Sequence, residues 1–394
     1  MKFATPVALA LTSFLVACGS TDHDANQGAA NGTGGGSNVG GDGNSGGDGN
    51  GSGGSGPEGA CNLNSGFEGD DLCIPPPSPD EGIQIHVGPT SYDDPDAIAP
   101  YLLDAGDENV RCYNAKLPQS DFYYLKQQNR MRSHSHHMLI FVAKATGLTE
   151  GPTAACDITG GLASIPGSQT PARDFPDQLG PEDAGIGRYL PQADMATFQL
   201  HYVNTTTEPV LREAWVNIYK KPKEEVTTPL QSIFLVGDLT VNIPAHTQQT
   251  TTLEFSPNLP GETRIFAMNG HMHAHTERFT VWRERGTDSE QIYQSFDWQE
   301  PAELTFNTVV QNPVANEATK IDGGISGMFT LMPGDKLKWS CDVNNTLDTA
   351  IHFANEAETA EMCLLAGAYI GTPGLMAGAC AAGQCSAGFG LGGR

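Results

Sequence analysis

The sequence predicts an all-β protein with two tandem antiparallel β-sandwich domains of jelly-roll-like type behind a disordered N-terminal tether. Short runs of β-branched and aromatic residues alternate with polar residues, as in strands whose successive side chains point to opposite faces. Proline, glycine, asparagine and aspartate separate the runs at short intervals. No long stretch has the 3.6-residue period of an amphipathic helix. The clearest runs are ATFQLHYVN, AWVNIYK, SIFLVGDLTVNI, TRIFAM and FTVWRER.

Length and charge bound the architecture and the partners. The 394 residues exceed one ordinary domain and suggest two domains of ~150 residues each. The formal charge of −25 argues against nucleic acid and anionic lipid as partners, because surfaces that bind them need clustered lysine and arginine. No stretch is long and apolar enough to span a bilayer.

The N-terminus has the features of a targeting segment. Lys2 supplies a positive charge, and the apolar run ATPVALALTSFLVA is too short for a transmembrane helix. The sequence LVAC that ends at Cys18 resembles a bacterial lipoprotein signal (residues 1–17), with Cys18 as the lipid anchor. By resemblance to Gram-negative lipoproteins, Gly19 rather than Asp after the cysteine favours the outer membrane over retention in the inner membrane, with the domains in the periplasm or at the cell surface. The alternative is an ordinary secretory signal with an accidental cysteine.

The rest of the chain divides by composition. Residues 18–60 are rich in Gly, Ser and Asn, with almost nothing apolar to bury, and predict a flexible linker. A looped lead-in is expected over 61–79 and a loose Gly/Ala/Cys tail over 373–394. The polar break KKPKEEVTTP at 220–229 separates the two predicted domains, 80–224 and 225–372.

Nine cysteines leave an even eight once Cys18 is set aside. In a chain exported to an oxidising compartment, structural disulfides are the expected use of such a set. A zinc site is the alternative. However, only Cys380 and Cys385 form a close pair, and no second matching pair is present.

Three of the eleven histidines alternate in NGHMHAHTERF (269–279), and this pattern puts them on one face of a strand. Three further motifs contain candidate metal ligands: SHSHHMLIF (133–141), FQLHYVN (198–204) and ETAEMCLLAGAYI (358–370). Adjacent His136 and His137 can converge on one metal only at a strand end or a β-bulge. In the second motif, His201 lies on the face opposite Phe198 and Leu200. Taken singly, each motif has a plainer explanation, namely exposed histidines, a core histidine or a buried methionine.

The ordered motifs HHM, QxHY, HMH and MC resemble the copper type II, ascorbate-dependent monooxygenases, the family of peptidylglycine α-hydroxylating and dopamine β-monooxygenases. The resemblance covers roughly residues 80 to 370. It implies two copper ions per chain, one in each β-rich domain, with no catalytic residue beyond the copper ligands. The implied ligands are His136, His137 and His201 for an electron-delivering copper, and His271, His273 and Met362 for an oxygen-binding copper.

The donor types agree with copper independently of the family. A His-His-Met set combines imidazole with a soft thioether and favours Cu(I), whereas zinc has little use for Met362. Candidates for supporting positions beside the ligands are Met138, Gln199 and His275. His275 is either solvent-facing or a competitor of His271 for the pair.

The resemblance also implies disulfides between Cys112 and Cys156 and between Cys341 and Cys363. This leaves four cysteines, which are expected to form the local pairs Cys61–Cys73 and Cys380–Cys385. The residues alone do not fix this connectivity, because eight cysteines pair in many ways.

The implied reaction is hydroxylation of a C–H bond of a small organic molecule with O₂ and an external one-electron reductant such as ascorbate. Peptide-amidating members anchor the substrate carboxylate with an arginine and a tyrosine, whereas this chain has Asn269 and Ala366 at those positions. A peptide ending in glycine is therefore not the expected substrate. Two alternatives remain: a non-catalytic copper-binding or copper-buffering lipoprotein, and a surface adhesion module in which metals are structural.

Overall fold

The computed structural model describes residues 61, 63–154 and 163–387. The predicted signal peptide with Cys18, the linker 18–60, Cys156 and the last residues of the tail lie outside this range. Within it the regular structure is almost entirely β-strand, so the all-β prediction is confirmed. The helical segments are α1 (Pro95–Ile98) and 3₁₀ turns at Asp70–Leu72, Ala99–Tyr101, Pro181–Asp183 and Lys223–Glu225.

The first half of the chain contains twelve described strands. They are β1 (Gly82–Val87), β2 (Leu102–Leu103), β3 (Glu108–Lys116), β4 (Phe122–Met131), β5 (Ser135–Val142), β6 (Gly151–Thr153), β7 (Ala163–Ser168), β8 (Ala172–Phe175), β9 (Ile186–Leu190), β10 (Met195–Val203), β11 (Val210–Leu211) and β12 (Ala214–Lys221).

Two layers in this half enclose one core. One layer is an antiparallel sheet with the strand order β6-β3-β10-β5-β7. The other layer contains neighbouring strands in the order β1-β12-β4-β8. Alternate residues such as Phe198, Leu200 and Tyr202 of β10 point into the core between the layers. The residues between them on β10, including His201, point the other way, because side chains alternate along a strand.

The second half contains fourteen described strands. They are β13 (Thr228–Asp238), β14 (Asn242–Ile243), β15 (Thr247–Phe255), β16 (Thr263–His271), β17 (Thr276–Arg285), β18 (Asp288–Ser295), β19 (Glu303–Thr305), β20 (Gly323–Gly324), β21 (Phe329–Leu331), β22 (Lys336–Asn345), β23 (Ile351–His352), β24 (Leu364–Ile370), β25 (Ala377–Ala381) and β26 (Gln384–Ala387).

The second half is also built in layers around its own core. Strands β13, β24 and β16 pair with one another, and β15, β22, β17 and β18 form the facing antiparallel set. Trp339 and Phe279 lie fully buried in the core between them. Trp339 Nε1 donates a hydrogen bond of 3.0 Å to the Cys363 carbonyl, which ties the core to the start of β24.

The expectation of a loose tail is wrong for residues 377–387. Strands β25 and β26 form a hairpin whose two arms run parallel to β13 and β15. Cys380 and Met376 are buried in the second core. The small residues of this segment carry little strand preference of their own, so its order comes from the sheet edges and the Cys380–Cys385 disulfide.

The two halves meet through a third apolar cluster and buried polar contacts. Phe175 from the first half packs against Phe266 from the second, with ring centroids 5.8 Å apart. Arg264 pairs with the fully buried Asp183 at 2.6 Å. The change from one core to the other occurs near the predicted boundary at 220–229. All described residues nevertheless belong to one compact unit, so the division into two separate domains stays a prediction.

No helix in the described part of the chain is long and apolar enough to cross a membrane.

Candidate metal centre

The first pair of histidines lies at a β-bulge, which is one of the two arrangements that would let both side chains face the same way. In the pairing of β10 with β5, His201 is opposite His137, but Tyr202 is opposite Ser135, so His136 is the extra residue. A bulge of this kind re-aims a side chain. His136 and His137 therefore both point away from the first core, toward the side that His201 faces.

The second pair lies at the end of β16 in the other half. His271 is the last residue of the strand and pairs with Leu364 of β24, and His273 follows two residues later. Gly270 allows the close packing here, because a Cβ at this position would lie 2.8 Å from the ring of Phe279.

The five histidines form one cluster, called here the five-histidine cluster: His136, His137, His201, His271 and His273. All five are between 0 and 5 % exposed. The ring centroid of His136 lies 5.0 to 5.8 Å from the centroid of each of the other four rings. The centroids of His137 and His271, one from each half, lie 4.8 Å apart. Imidazoles from both halves of the chain thus share one buried space.

Two overlapping sets in the cluster have metal-binding geometry. One set is His136, His137 and His201, and the other is His136, His271 and His273. Within each set one nitrogen of every ring lies within 4.8 Å of the others. The sequence predicted one set in each domain, the second made of His271, His273 and Met362, whereas here the two histidine sets touch and share His136. Strand periodicity predicts which way a side chain faces within its own sheet but not how two halves pack together.

Six imidazole nitrogens in the cluster are buried and have no hydrogen-bond partner in the described structure. They are Nδ1 and Nε2 of His136, Nδ1 of His137, Nδ1 of His201, Nε2 of His271 and Nε2 of His273. An unpartnered buried polar atom costs roughly 1–3 kcal/mol. Six such nitrogens directed into one space are therefore the strongest structural indication that this site holds a metal.

In four of the five rings the other nitrogen is held by the protein. His201 Nε2 donates to Glu108 at 2.7 Å, His271 Nδ1 donates to Gln169 at 2.9 Å, and His273 Nδ1 donates to the Ala360 carbonyl at 3.2 Å. His137 Nε2 makes a longer contact of 3.5 Å with Gln199. Such partners fix the tautomer of a ligating histidine and leave the lone pair of its free nitrogen for the metal.

Four histidines of the cluster resist protonation. Burial, followed by repulsion from the neighbouring histidines, holds the pKa of His136, His137 and His271 well below its ordinary range. Burial and His201 lower the pKa of His273 from 6.5 to about 4. At neutral pH these rings are uncharged, which is the form that binds metals.

In the metal-free protein, acidification from pH 6.5 to pH 4 is expected to lower the free energy of unfolding. Over this interval the unfolded chain protonates histidines that the folded chain keeps neutral, so stability falls as the pH falls. His273 alone accounts for a loss of roughly 3 kcal/mol in the free energy of unfolding across this range. Urea unfolding at pH 7.5 and pH 4.5 measures the effect, and His273→Asn should reduce the difference between the two pH values. If the free energy of unfolding differs between the two pH values as much in the variant as in the unmodified protein, His273 does not have the lowered pKa.

Glu108 links the two halves at the cluster. Its Oε1 accepts the hydrogen bond from His201 and another from the backbone N–H of Ala357, in the loop that leads to Met362. Burial opposes ionisation of Glu108, but these hydrogen bonds outweigh it and hold its pKa below the ordinary value. A charged carboxylate on Nε2 of His201 directs Nδ1 of that ring into the cluster.

Replacing Glu108 by glutamine is expected to lower the metal affinity of the cluster about 10- to 100-fold, the usual effect of removing a group that orients a ligating histidine. The side chain keeps its size, so the fold should survive. Competition with a Cu(I) chelator measures the affinity. Glu68→Gln is the matched control, because Glu68 contacts His134, which is outside the cluster, at 3.2 Å. Equal effects of the two variants would rule out the orienting role of Glu108.

Met362 is linked to His273 of the second histidine pair through a shared hydrogen-bond acceptor. Its backbone N–H and that of His273 donate to the same oxygen, Glu361 Oε1, each at 3.0 Å. Burial raises the pKa of Glu361 to about 7, and Thr276 donates a hydrogen bond of 2.8 Å to its other oxygen. The backbones of Met362 and His273 are thus held near each other, and the Met362 side chain is half-buried.

The three candidates for supporting positions have different outcomes. Gln199 lies within contact distance of His137, as described above. Met138 pairs with Leu200 and lies in the first core, on the face of β5 that points away from the histidines. His275 Nε2 donates to the Glu358 carbonyl at 2.9 Å, and this histidine belongs to neither metal-binding set.

Sequence reasoning missed Glu108, Gln169, Glu361 and Trp298. The Trp298 ring packs on His136 with centroids 5.0 Å apart and is partly exposed, so it covers one side of the cluster. Glu108, Gln169 and Trp298 lie outside the quoted motifs and carry no motif of their own, so no sequence signal identifies them. Glu361 directly precedes Met362 in ETAEMCLLAGAYI, but nothing in that motif predicts its hydrogen bond from the backbone of His273.

Three of the four predicted cysteine pairs are joined by disulfides: Cys61–Cys73, Cys341–Cys363 and Cys380–Cys385. The second pair ties the residue after Met362 to β22 in the core. The partner predicted for Cys112 is Cys156, which lies outside the described residues, so that pairing stays a prediction.

Neither a protein-family model nor a curated protein matches this sequence. Among solved structures, the major capsid protein P2 from bacteriophage PM2 is similar over 74% of this chain and 97% of that chain, with a TM-score of 0.29 and 10% identity. A likeness at this level carries no argument about the site.

Proposed function

We propose that this protein is a copper-dependent monooxygenase that hydroxylates a C–H bond of a small organic substrate with O₂ and an external one-electron reductant such as ascorbate. The observation that carries the proposal is the convergence of six buried, unpartnered imidazole nitrogens from both halves of the chain. The ordered histidine and methionine motifs, which resemble the copper type II monooxygenases, supply the reaction class.

The donor types favour copper over other metals. Imidazole alone suits zinc, copper, iron and nickel, whereas a thioether ligand selects the softer Cu(I). The choice of copper therefore rests on Met362, whose backbone shares a hydrogen-bond acceptor with His273. Bound copper would supply one-electron redox chemistry and activation of O₂.

The residues of the chain would hold, orient and shield the metal. The five histidines supply nitrogen ligands, and Met362 supplies sulfur. Glu108, Gln169 and the Ala360 carbonyl fix the ring tautomers. Trp298 packs on His136 and would limit the access of water to the cluster.

The substrate would lack a carboxylate at the anchoring position. Asn269 and Ala366, which replace the arginine and tyrosine of peptide-amidating enzymes, are register partners across β16 and β24. The uncharged amide of Asn269 and the methyl group of Ala366 provide no positive charge to bind a substrate carboxylate. A small neutral or cationic molecule, including an aromatic amine, fits this pair of positions better than a peptide C-terminus.

For location, we propose a lipoprotein anchored through Cys18 to the outer membrane of a Gram-negative cell, with the metal centre in the periplasm or at the surface. The LVAC sequence before Gly19 and the glycine-rich linker that follows support this. Partners are then the substrate, O₂ and the reductant, with membrane contact only through the lipid.

A second function is favoured by one observation. All five rings are almost completely buried, and such burial also suits a non-catalytic protein that binds and buffers copper without turnover.

Oxygen uptake separates the two functions. The copper-loaded protein with ascorbate is expected to consume O₂ faster when a substrate is present, tested against phenethylamines, small peptides and aromatic compounds. His201→Ala, which removes one ligand from the first set, is expected to lower the copper content and to slow the uptake. If no compound stimulates uptake and the variant differs only in copper affinity, the protein buffers copper instead.

A further inference from the structure

His136 differs from the other four rings of the cluster. Each of the others uses one nitrogen to contact a protein oxygen, whereas both nitrogens of His136 are buried without a hydrogen-bond partner anywhere in the described chain. The side chain is only 3 % exposed. A core histidine with no ligand role would ordinarily satisfy at least one nitrogen, because each unsatisfied one costs roughly 1–3 kcal/mol.

His136 is also the member common to both metal-binding sets. Its ring lies 5.0 Å from that of His201, a member of one set, and 5.2 Å from that of His271, a member of the other, measured between centroids. No protein hydrogen bond fixes its tautomer, unlike the rings around it. The bulge in β5 and the packing of Trp298 are what hold it between the two sets.

The number of free nitrogens fits two ions. Four rings offer one nitrogen each and His136 offers two, so each set has three nitrogen donors only if His136 contributes one nitrogen to each set. If His136 bound one ion through one nitrogen, the other ion would keep two imidazoles, with the Met362 sulfur as the proposed third ligand of the second set. One buried nitrogen of His136 would then stay unsatisfied.

We infer that His136 bridges two copper ions, one on each ring nitrogen, so that the two sets form a single dinuclear centre. This inference rests on the proposed copper function. Neutral imidazole carries one N–H, so binding of the second Cu(II) replaces that proton, which passes to the solvent, and leaves an imidazolate between the ions. No electron is transferred in this step. The negative imidazolate offsets part of the repulsion between the two cations.

Electron paramagnetic resonance of the purified protein titrated with Cu(II) tests the bridge. One equivalent should give one spin per chain. With two equivalents the spin count should fall well below two, because an imidazolate couples the unpaired electrons of the two ions antiferromagnetically. Two copper ions with two full, independent spins would overturn the bridge and leave the copper function standing, as would binding of one copper only. Failure to bind copper at all would overturn both.

Single substitutions add a test that separates His136 from its neighbour. His136→Ala removes a nitrogen from both sets. It should lower the affinity for both copper ions more than about 100-fold, which exceeds the effect of losing an orienting group. His137→Ala should lower the affinity for one copper ion only. His275→Ala, which lies outside both sets, should leave the affinity for both ions unchanged. If His136→Ala weakens a single ion, His136 does not bridge. The spin count of the unmodified protein stays decisive if His136→Ala fails to fold.

Discussion

Replacing Met362 by isoleucine is expected to lower ascorbate-dependent oxygen uptake by at least about 100-fold, since loss of a ligand should exceed the 10- to 100-fold effect of losing an orienting group. Isoleucine keeps the apolar bulk, and the Cys341–Cys363 disulfide still holds the strand start, so the fold should survive. Copper bound by His136, His137 and His201 should remain and should still be reduced. Oxygen consumption and copper content, determined in parallel, measure the two effects.

Met138→Ile is the matched control for this substitution. Met138 is a fully buried core methionine on the face of β5 that points away from the cluster. The same exchange there should cost less than about 1.5 kcal/mol of stability and leave oxygen uptake unchanged. A Met362→Ile protein that retains full uptake would remove the thioether from the proposed mechanism.

Replacing Asp183 by alanine is expected to destabilise the protein by about 3–5 kcal/mol, because it leaves the Arg264 guanidinium without its buried partner. Asp183 also accepts hydrogen bonds from Asn307 at 2.9 Å and from the backbone of Gly180 at 2.9 Å, and the variant loses both. Asp183 belongs to the first half and Arg264 to the second. The loss should therefore weaken the packing that brings the two histidine sets together.

Urea unfolding measures this change, and Glu150→Ala supplies the control. Glu150 pairs with Lys116 at 2.9 Å, but both side chains are mostly exposed. Such a surface pair contributes at most about 1 kcal/mol. A loss of stability in Asp183→Ala no larger than in the control would mean that the contact between the halves is weak.

Much of the first half follows from period-two alternation. In FQLHYVN the apolar residues Phe198, Leu200 and Tyr202 enter the core, and His201 takes the other face, as alternation requires. The adjacent pair His136 and His137 required a bulge or a strand end if both were to face one metal, and the bulge is present. These are local consequences of strand geometry, so they can be deduced from a few neighbouring residues.

The contact between the two histidine sets could not be deduced in this way. It depends on how two β-layered halves pack, through contacts such as Arg264 with Asp183 and Glu108 with Ala357 that join residues distant in the chain. The hairpin 377–387 was missed for a related reason. Its alanines and glycines have weak strand preference, and the edges of β13 and β15 impose the structure.

Copper K-edge X-ray absorption of the copper-loaded, ascorbate-reduced protein tests the central claim most directly, because it identifies the atoms around the metal. Imidazole scattering is predicted to dominate, together with a sulfur contribution that disappears in Met362→Ile and persists in Met138→Ile. Copper that is lost on desalting, or copper retained without imidazole scattering, would contradict a metal centre built by His136, His137, His201, His271 and His273.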